Sequence, residues 1–238
     1  MTLTVAPDQT TIRNMFDHIS GRYNIFNRLT TGGLHSFWRR KAVSRLKPGI
    51  RVLDLGCGTG DLTLAAAKKI GYGEVTGLDF SEKMLAVADR RARATQKKFP
   101  SIKFEFLQKR AEELPLTEPF DAVISGFVMR NLYEHIDGIL RGVFASLKSG
   151  GQIAFLDFTE PSNPALKTAW QWYMNHVAAF WGLILFGKDF PGRYQAESAE
   201  RFLKAREFVM KLRATGFIDV RAEDLFMGIV VLYRGVKP

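Results

Sequence analysis

Val52-Leu53-Asp54-Leu55-Gly56-Cys57-Gly58-Thr59-Gly60-Asp61 is the stretch whose reading decides the fold. Hydrophobic residues interleaved with Asp54 predict a short buried strand, and Gly56, Gly58 and Gly60 then open the way into a helix. Glycines at alternate positions let the backbone turn sharply and let a ligand approach main-chain N–H groups without a Cβ in the way. Asp54, at the strand's end, is an acid able to orient such a loop or to meet a cationic ligand. Lys47-Pro48-Gly49 is the turn that delivers the chain into this strand.

Downstream, Leu62 to Ile70 is alanine-rich and helical, Gly71 to Gly73 ends it, and Glu74 to Asp79 is a second strand closing on an acid. Asp79 lies nineteen residues past Gly60. A carboxylate there accepts hydrogen bonds from a ribose diol, so loop and acid together argue for an adenosine-type ligand. A dinucleotide site would need the register G-x-G-x-x-G, whereas this loop reads G-x-G-x-G followed by Asp61.

The rest of the chain continues the alternation. Ser81 caps a helix through Arg93, Ile102 to Leu107 and Phe120 to Ser125 are strands, Ile136 to Leu147 is a helix, and Gln152 to Phe158 is a fifth strand. Strands alternating with helices predict a mostly parallel sheet covered on both faces. Ala196 to Ala214 reads as a final helix, and Phe217 to Asp224 with Gly228 to Gly235 as an antiparallel hairpin at one edge. Ahead of the core, Ile12, Met15, Phe16, Ile19, Tyr23 and Phe26 recur at helical spacing, with Gly21 splitting the segment, and Phe37 to Leu46 forms a basic helix. Thr168 to Gly187 holds no charged residue and carries Trp170, Trp172, Tyr173, Phe180, Trp181 and Phe186. Gln171, Asn175 and His176 interrupt it, so the reading is a buried or interfacial apolar excursion lining a pocket for a greasy substrate.

The expected organisation is one domain over 1–238: an N-terminal helical lid (1–48), a cofactor-binding core (49–158), an aromatic substrate-side insertion (159–195), and a closing helix and hairpin (196–238). A chain of 238 residues, 46% hydrophobic, suits a full α/β core. Met1 to Gln9 has no basic start or apolar run, and the single Cys57 rules out an internal disulfide, so a cytoplasmic location is expected. Cys57 reads as a small spacer in a tight loop. The histidines form no close metal-spacing pair, so no metal is expected. The net charge of +10 is concentrated between Arg13 and Arg51, where only Asp17 opposes the arginines and lysines. Such a face reads equally as a solvated surface or as one that meets nucleic acid or an anionic membrane.

Several stretches together resemble the menaquinone/ubiquinone biosynthesis C-methyltransferase family, within the class I S-adenosylmethionine methyltransferases. They are Tyr23-Asn24-Ile25-Phe26-Asn27, Leu34-His35-Ser36-Phe37-Trp38-Arg39-Arg40, the glycine loop through Thr63, Gly77-Leu78-Asp79, Met129-Arg130-Asn131 and Gly228-Ile229-Val230. The resemblance implies a Rossmann-like seven-stranded sheet, mostly parallel with an antiparallel C-terminal hairpin and an N-terminal helical lid. It implies S-adenosyl-L-methionine as cofactor, with Asp54, Gly56, Gly58, Thr59 and Gly60 around its methionine part and Asp79 on the ribose. Arg110 and Ala111 would lie beside the adenine and Ser125 near the sulfonium. Arg130 and Asn131 would line the acceptor site, under a lid containing Tyr23.

The implied reaction is C-methylation of a polyprenylated quinol, which requires an ionised ring hydroxyl beside the attacking carbon. Arg130 would stabilise that phenolate or hold a water, and Asn131 would orient the same oxygen. The implied partners are the quinol and an anionic membrane surface, met peripherally at its inner face; a homo-oligomer is compatible with the sequence, and nucleic acid is not expected. Trp38 beside Arg39 and Arg40 reads equally as an interfacial anchor or as helix packing. This chain departs from the family pattern at Arg110, where an acid or asparagine is usual, and at Ser125-Gly126-Phe127-Val128, where Ser-Phe-Gly is usual. It departs again at Arg193-Tyr194-Gln195-Ala196-Glu197-Ser198. Two rival readings stay open: a methyltransferase of another small molecule or RNA, and a non-catalytic lipid-binding homologue.

Overall fold

In the computed structural model, which describes residues 17–187 and 202–238, the alternating pattern becomes a three-layer α/β/α fold. The strands are β1 (Arg51–Leu55), β2 (Gly73–Asp79), β3 (Ile102–Gln108), β4 (Phe120–Gly126), β5 (Leu147–Phe158), β6 (Ile218–Phe226) and β7 (Val230–Val236). They form one sheet in the order β3-β2-β1-β4-β5-β7-β6, with β7 antiparallel to both neighbours and the other pairs parallel. The helices are α1 (Tyr23–Thr31), α2 (Leu34–Val43), α3 (Asp61–Ile70), α4 (Glu82–Gln96), α5 (Ile136–Ala145), α6 (Pro164–Tyr173), α7 (Ala179–Phe186) and α8 (Ala205–Thr215). The expected seven-stranded class I sheet is therefore present, hairpin included.

β1 lies between β2 and β4, and the strand order reverses there. In an open parallel sheet this leaves a crevice above the carboxyl ends of the two strands, where helices start from either side. The two-residue period of β1 divides the core. Val52 joins Trp38 and Val43 near α2, Leu62 and Ala66 of α3, and Trp170 of α6. Leu53 and Leu55 join Ile139 and Leu140 of α5, and Phe208 and Leu212 of α8. Asp54 therefore shares the α2–α3 side with Val52. Trp38 is buried among Phe127, Phe158 and Phe226, which decides for helix packing over an interfacial anchor.

Some expected boundaries move. The basic helix starts at Leu34, behind left-handed Gly33, and not at Phe37. The closing helix starts at Ala205: Phe202 to Lys204 is not helical, and Glu207 accepts from the Lys204 N–H at 3.1 Å to fix the new start. Its expected turns at 196–201 lie outside the described residues. The expected turn at Ser149 to Gly151 is absorbed into β5, which kinks at positive-φ Gly150. Gly21 does break the lead-in: residues 17–19 are helical, a turn follows, and α1 begins at Tyr23.

The apolar excursion is a helix, a π turn at Met174–Ala178, and a second helix, so the wider turn coincides with the polar Asn175 and His176. Asn163 caps its start, accepting from Ala165 and Leu166 N–H groups at 2.9 and 3.3 Å. Trp170, Met174 and Ala178 are buried, while Trp172, Phe180, Leu183 and Ile184 are each more than half exposed. Among the described residues no helix is long and apolar enough to cross a membrane.

Phe208 is fully buried and meets Tyr233 edge to face at 4.8 Å. Truncating such a ring removes its burial and leaves a cavity, so Phe208→Ala is expected to cost about 3–5 kcal/mol. Urea unfolding followed by circular dichroism checks this; a midpoint unchanged from wild type would contradict the assignment of Phe208 to the core.

Candidate functional site

The crevice above β1 and β4 is a cleft of about 1060 Å³ counted out to its mouth. One half is built by the glycine loop. Gly56, Gly58 and Gly60 all have positive φ, at 69°, 53° and 83°, which side chains with a Cβ rarely adopt. Gly56 is also confined by space, because a Cβ there would lie 2.6 Å from both methyls of Val128. Gly56 and Cys57 donate their N–H groups to the Leu78 carbonyl at 2.8 and 3.0 Å, which ties the loop to β2. The buried Cys57 thiol is pushed well up by desolvation, in keeping with a spacer.

Two acids face this half. Asp79 accepts the Gly58 N–H at 2.8 Å and the Ser81 N–H at 2.9 Å, so it shapes the loop as well as facing the cleft. Burial raises its carboxyl to about 6, against the pull of those backbone donors. Asp54 is completely buried, and one of its oxygens accepts from Thr63 Oγ at 2.6 Å. Its other oxygen has no hydrogen-bond partner, and desolvation lifts the carboxyl to about 7. Lys109, Arg110, Ala111 and Glu112 form the rim. The Arg110 side chain is half exposed, while its N–H is taken by Glu113 at 2.6 Å.

The other half is lined by Tyr23, Leu62, Phe127, Val128, Asn131 and Leu132. Asn131 Oδ1 is buried without a hydrogen-bond partner. Arg130 is placed differently from the expectation. Its Nη1 donates to Asp157 Oδ1 at 2.7 Å and to the Phe127 carbonyl at 2.6 Å, its N–H donates to Asp157 Oδ2 at 3.1 Å, and its guanidinium lies over the Phe158 ring. Both partners are buried. Arg130 is thus absent from the cleft lining and acts as a brace between the turn after β4 and the end of β5. Asp157, the acid at that strand end, has the structural role. Ser125 is buried in β4, where it donates to the Leu55 carbonyl at 2.7 Å, and the next residues, Gly126 and Phe127, line the cleft wall. No cleft residue comes from 168–187, so the aromatic excursion does not line this pocket. His35 bonds to Thr31 at 2.8 Å and reads as an ordinary packed histidine.

Sequence reasoning missed the network behind the loop. Arg91 of α4 donates to the Thr59 carbonyl and to Asp61 Oδ1, both at 2.6 Å. With its amide turned so that unlike groups face, Asn24 donates to Thr59 Oγ at 2.9 Å and to Asp61 at 3.2 Å, and accepts from Arg91 at 2.9 Å. Arg39 approaches Asp61 from α2 at 3.4 Å. Asn24, Arg39 and Asp61 lie in the quoted family stretches, but nothing local in the sequence signals that Arg91 completes the cluster.

The ubiE/COQ5 methyltransferase family model matches residues 3–237. This chain belongs to that family. The Ubiquinone/menaquinone biosynthesis C-methyltransferase UbiE of Syntrophotalea carbinolica is 37% identical, covering 97% of this chain and 95% of that one. The Demethylmenaquinone methyltransferase of Lactobacillus johnsonii is 32% identical, covering 100% and 97%. In fold, the magnesium protoporphyrin IX methyltransferase of Synechocystis superposes with a TM-score of 0.67 over 97% of this chain and 100% of that one, at 18% identity. The chain is a methyltransferase, and the cleft occupies the family's topological switch point.

Asp54 gives this ubiE/COQ5 fold a measurable signature. An acid whose folded value is raised binds more protons folded than unfolded, so it lowers stability as pH rises from 3.8 towards about 7. Asp54→Asn keeps an acceptor for Thr63 and removes that loss. The variant without ligand should gain about 2–4 kcal/mol over wild type at about pH 8 and little at about pH 4. Urea titrations at the two pH values check this; equal gains at both would show that Asp54 titrates normally.

Proposed function

We propose that this protein transfers a methyl group from S-adenosylmethionine to a ring carbon of a polyprenylated quinol. The observation that carries the reading is the whole-chain family match, joined to a cleft whose acidic, glycine-lined half opens directly into an apolar half. The residues fit the donor. The partnerless buried oxygen of Asp54 suits a cationic amino group, Asp79 suits a ribose diol, and Gly58 leaves open space where a Cβ would stand. Ala111 and Arg110 would flank the adenine, and Gly56, Gly58 and Thr59 would bound the methionine part; Gly60 turns towards Ala88 of α4 and does not line the cleft.

When bound, S-adenosylmethionine supplies an electrophilic methyl carbon on a cationic sulfur, and the ring carbon displaces the neutral thioether with release of one proton. The protein's own contribution is alignment and exclusion of water. Phe127, Val128, Leu62 and Leu132 would pack on the ring, and Tyr23 would close it from the lid. Asn131 Oδ1 would accept from the ring hydroxyl that stays protonated, not from the ionised one beside the attacking carbon. Arg130 would act indirectly, by fixing the turn that carries Phe127 and Asn131.

A membrane-facing orientation belongs to the same proposal. Ile25, Leu29, Leu34 and Phe37 of the lid helices, and Trp172, Phe180, Leu183 and Ile184 of the insertion, are substantially exposed. Exposed Arg28, Arg40, Arg45 and Lys47 lie in the same N-terminal segment as the lid group. Apolar side chains beside basic ones suit an anionic interface, where a polyprenyl tail resides.

Incubation with methyl-labelled S-adenosylmethionine and chemically reduced demethylmenaquinone should place label in the quinone ring, while the oxidised quinone should accept none. A protein that binds S-adenosylhomocysteine by calorimetry yet transfers no label to the reduced acceptor would refute the substrate assignment.

A further inference from the structure

Arg39 is a cation in an unusual setting. It sits on α2, is only 7% exposed, and lines the same cleft as the glycine loop. Its guanidinium carbon lies over the Phe127 ring, 5.4 Å from the centroid. Asp61 Oδ2 lies 3.4 Å from Nη1, but this nitrogen makes no hydrogen bond and is buried. Burying an N–H of a guanidinium without an acceptor costs a kcal/mol or more in general, so an acceptor is expected to reach it in the working protein.

Asp61 pairs with Arg39 by charge at 3.4 Å without a hydrogen bond, and it shares that charge with Arg91. Its Oδ1 takes Arg91 Nη2 at 2.6 Å, and its Oδ2 takes the Asn24 amide at 3.2 Å. The other groups near Arg39 are His35 on its own helix, Arg28 on α1, and Asp54 at the end of β1. His35 is bonded to Thr31, and Arg28 carries the same charge as Arg39. Asp54 presents the complementary feature: a buried oxygen with no partner, lining the same cleft. No ion pair closes between Asp54 and Arg39.

A carboxylate oxygen and a guanidinium nitrogen, each buried without a hydrogen bond and lining one cleft, match the two charges of a free α-amino acid. The ammonium goes to the acid and the carboxylate to the guanidinium. We propose that Arg39 is a binding and specificity residue for the methionine end of the cofactor, taking its α-carboxylate through Nη1 opposite Asp54. This rests on the donor assignment under Proposed function and extends it to a residue of the lid. The Asp61–Arg91–Asn24 cluster is then what holds Arg39 in place, and α2 cannot dock correctly without completing the cofactor site.

The test pairs a protein change with a ligand change. S-adenosylhomocysteine carries the amino-acid head; 5′-methylthioadenosine has the same nucleoside and sulfur without it. Isothermal calorimetry on wild type, Arg39→Gln and Arg39→Lys reads both ligands without any turnover. Arg39→Gln is expected to weaken S-adenosylhomocysteine about 10- to 100-fold and to leave 5′-methylthioadenosine within about twofold. Arg39→Lys, which keeps the charge and loses the fork, should fall between. Equal weakening of both ligands by Arg39→Lys, or no weakening of S-adenosylhomocysteine by Arg39→Gln, overturns the assignment while leaving the donor reading intact. A wild type that binds neither ligand overturns both. Should Arg39→Gln bind neither, the lysine variant decides alone, since its charge preserves the pairing with Asp61.

Discussion

Asp61 places one carboxylate where four segments of the chain meet. It is the first residue of α3, Arg91 reaches it from α4, Arg39 approaches from α2, and Asn24 reaches it from α1. The lid helices are therefore not merely laid on the sheet by apolar packing; they are referenced to the glycine loop through one charge. Its carboxylate is only 16% exposed, so water screens it little, and removing it would leave two guanidiniums converging without an anion. Because Arg91 also holds the Thr59 carbonyl, the same interaction fixes the loop's backbone. Lid position and loop geometry are two consequences of one arrangement.

That arrangement has a cost, and it is concentrated in the site. Asp54 and Asp79 are acids in a place where burial disfavours their charge, and both are raised well above an ordinary carboxylate. Asp79 recovers part of the cost through two backbone donors, while Asp54 keeps an oxygen with nothing to accept from. An uncharged acceptor of the same volume would be more stable at Asp54, where only Thr63 donates. Retention of both acids at the mouth of a cleft is the pattern expected where a ligand supplies the missing cation and donors, at the expense of the empty protein.

The parts legible in the sequence were those specified by short-range pattern. The alternation of Val52 to Leu55, the spacing of the glycines and the acid at the end of β2 place Asp54, the loop and Asp79 without reference to distant residues. Hydrophobic periodicity likewise gave the sheet and most helices. What a local reading does not show depends on partners far along the chain. Arg130 reads as a site cation until Asp157, twenty-seven residues on, is seen to claim it. Ser125 reads as a wall residue until its hydroxyl is found on the Leu55 carbonyl, seventy residues back. The start of α8 was placed too early because the apolar spacing runs on past the residue where Glu207 caps the helix. Arg39 lay in plain view as one of several arginines on a basic helix, and only the fold shows that Arg40 faces solvent while Arg39 faces the cleft.

The lid also connects the cleft to the aromatic excursion, although that excursion contributes nothing to the cleft wall. Phe26 of α1 meets Phe186 edge to face at 5.6 Å, Tyr173 donates to the Thr30 carbonyl at 2.9 Å, and Arg22 donates to the Leu185 carbonyl at 3.0 Å. On the same helix Tyr23 lines the cleft, Asn24 holds the loop, and Ile25 and Leu29 point to solvent. Helix α1 is thus a partition, with the cofactor loop on one side, the insertion packed along another, and an apolar face left over. On the proposed quinol reading the ring would sit in the cleft and the tail outside, and the partition would separate those two environments by the width of one helix. Any displacement of α1 would have to loosen Asn24 from Thr59 and Asp61.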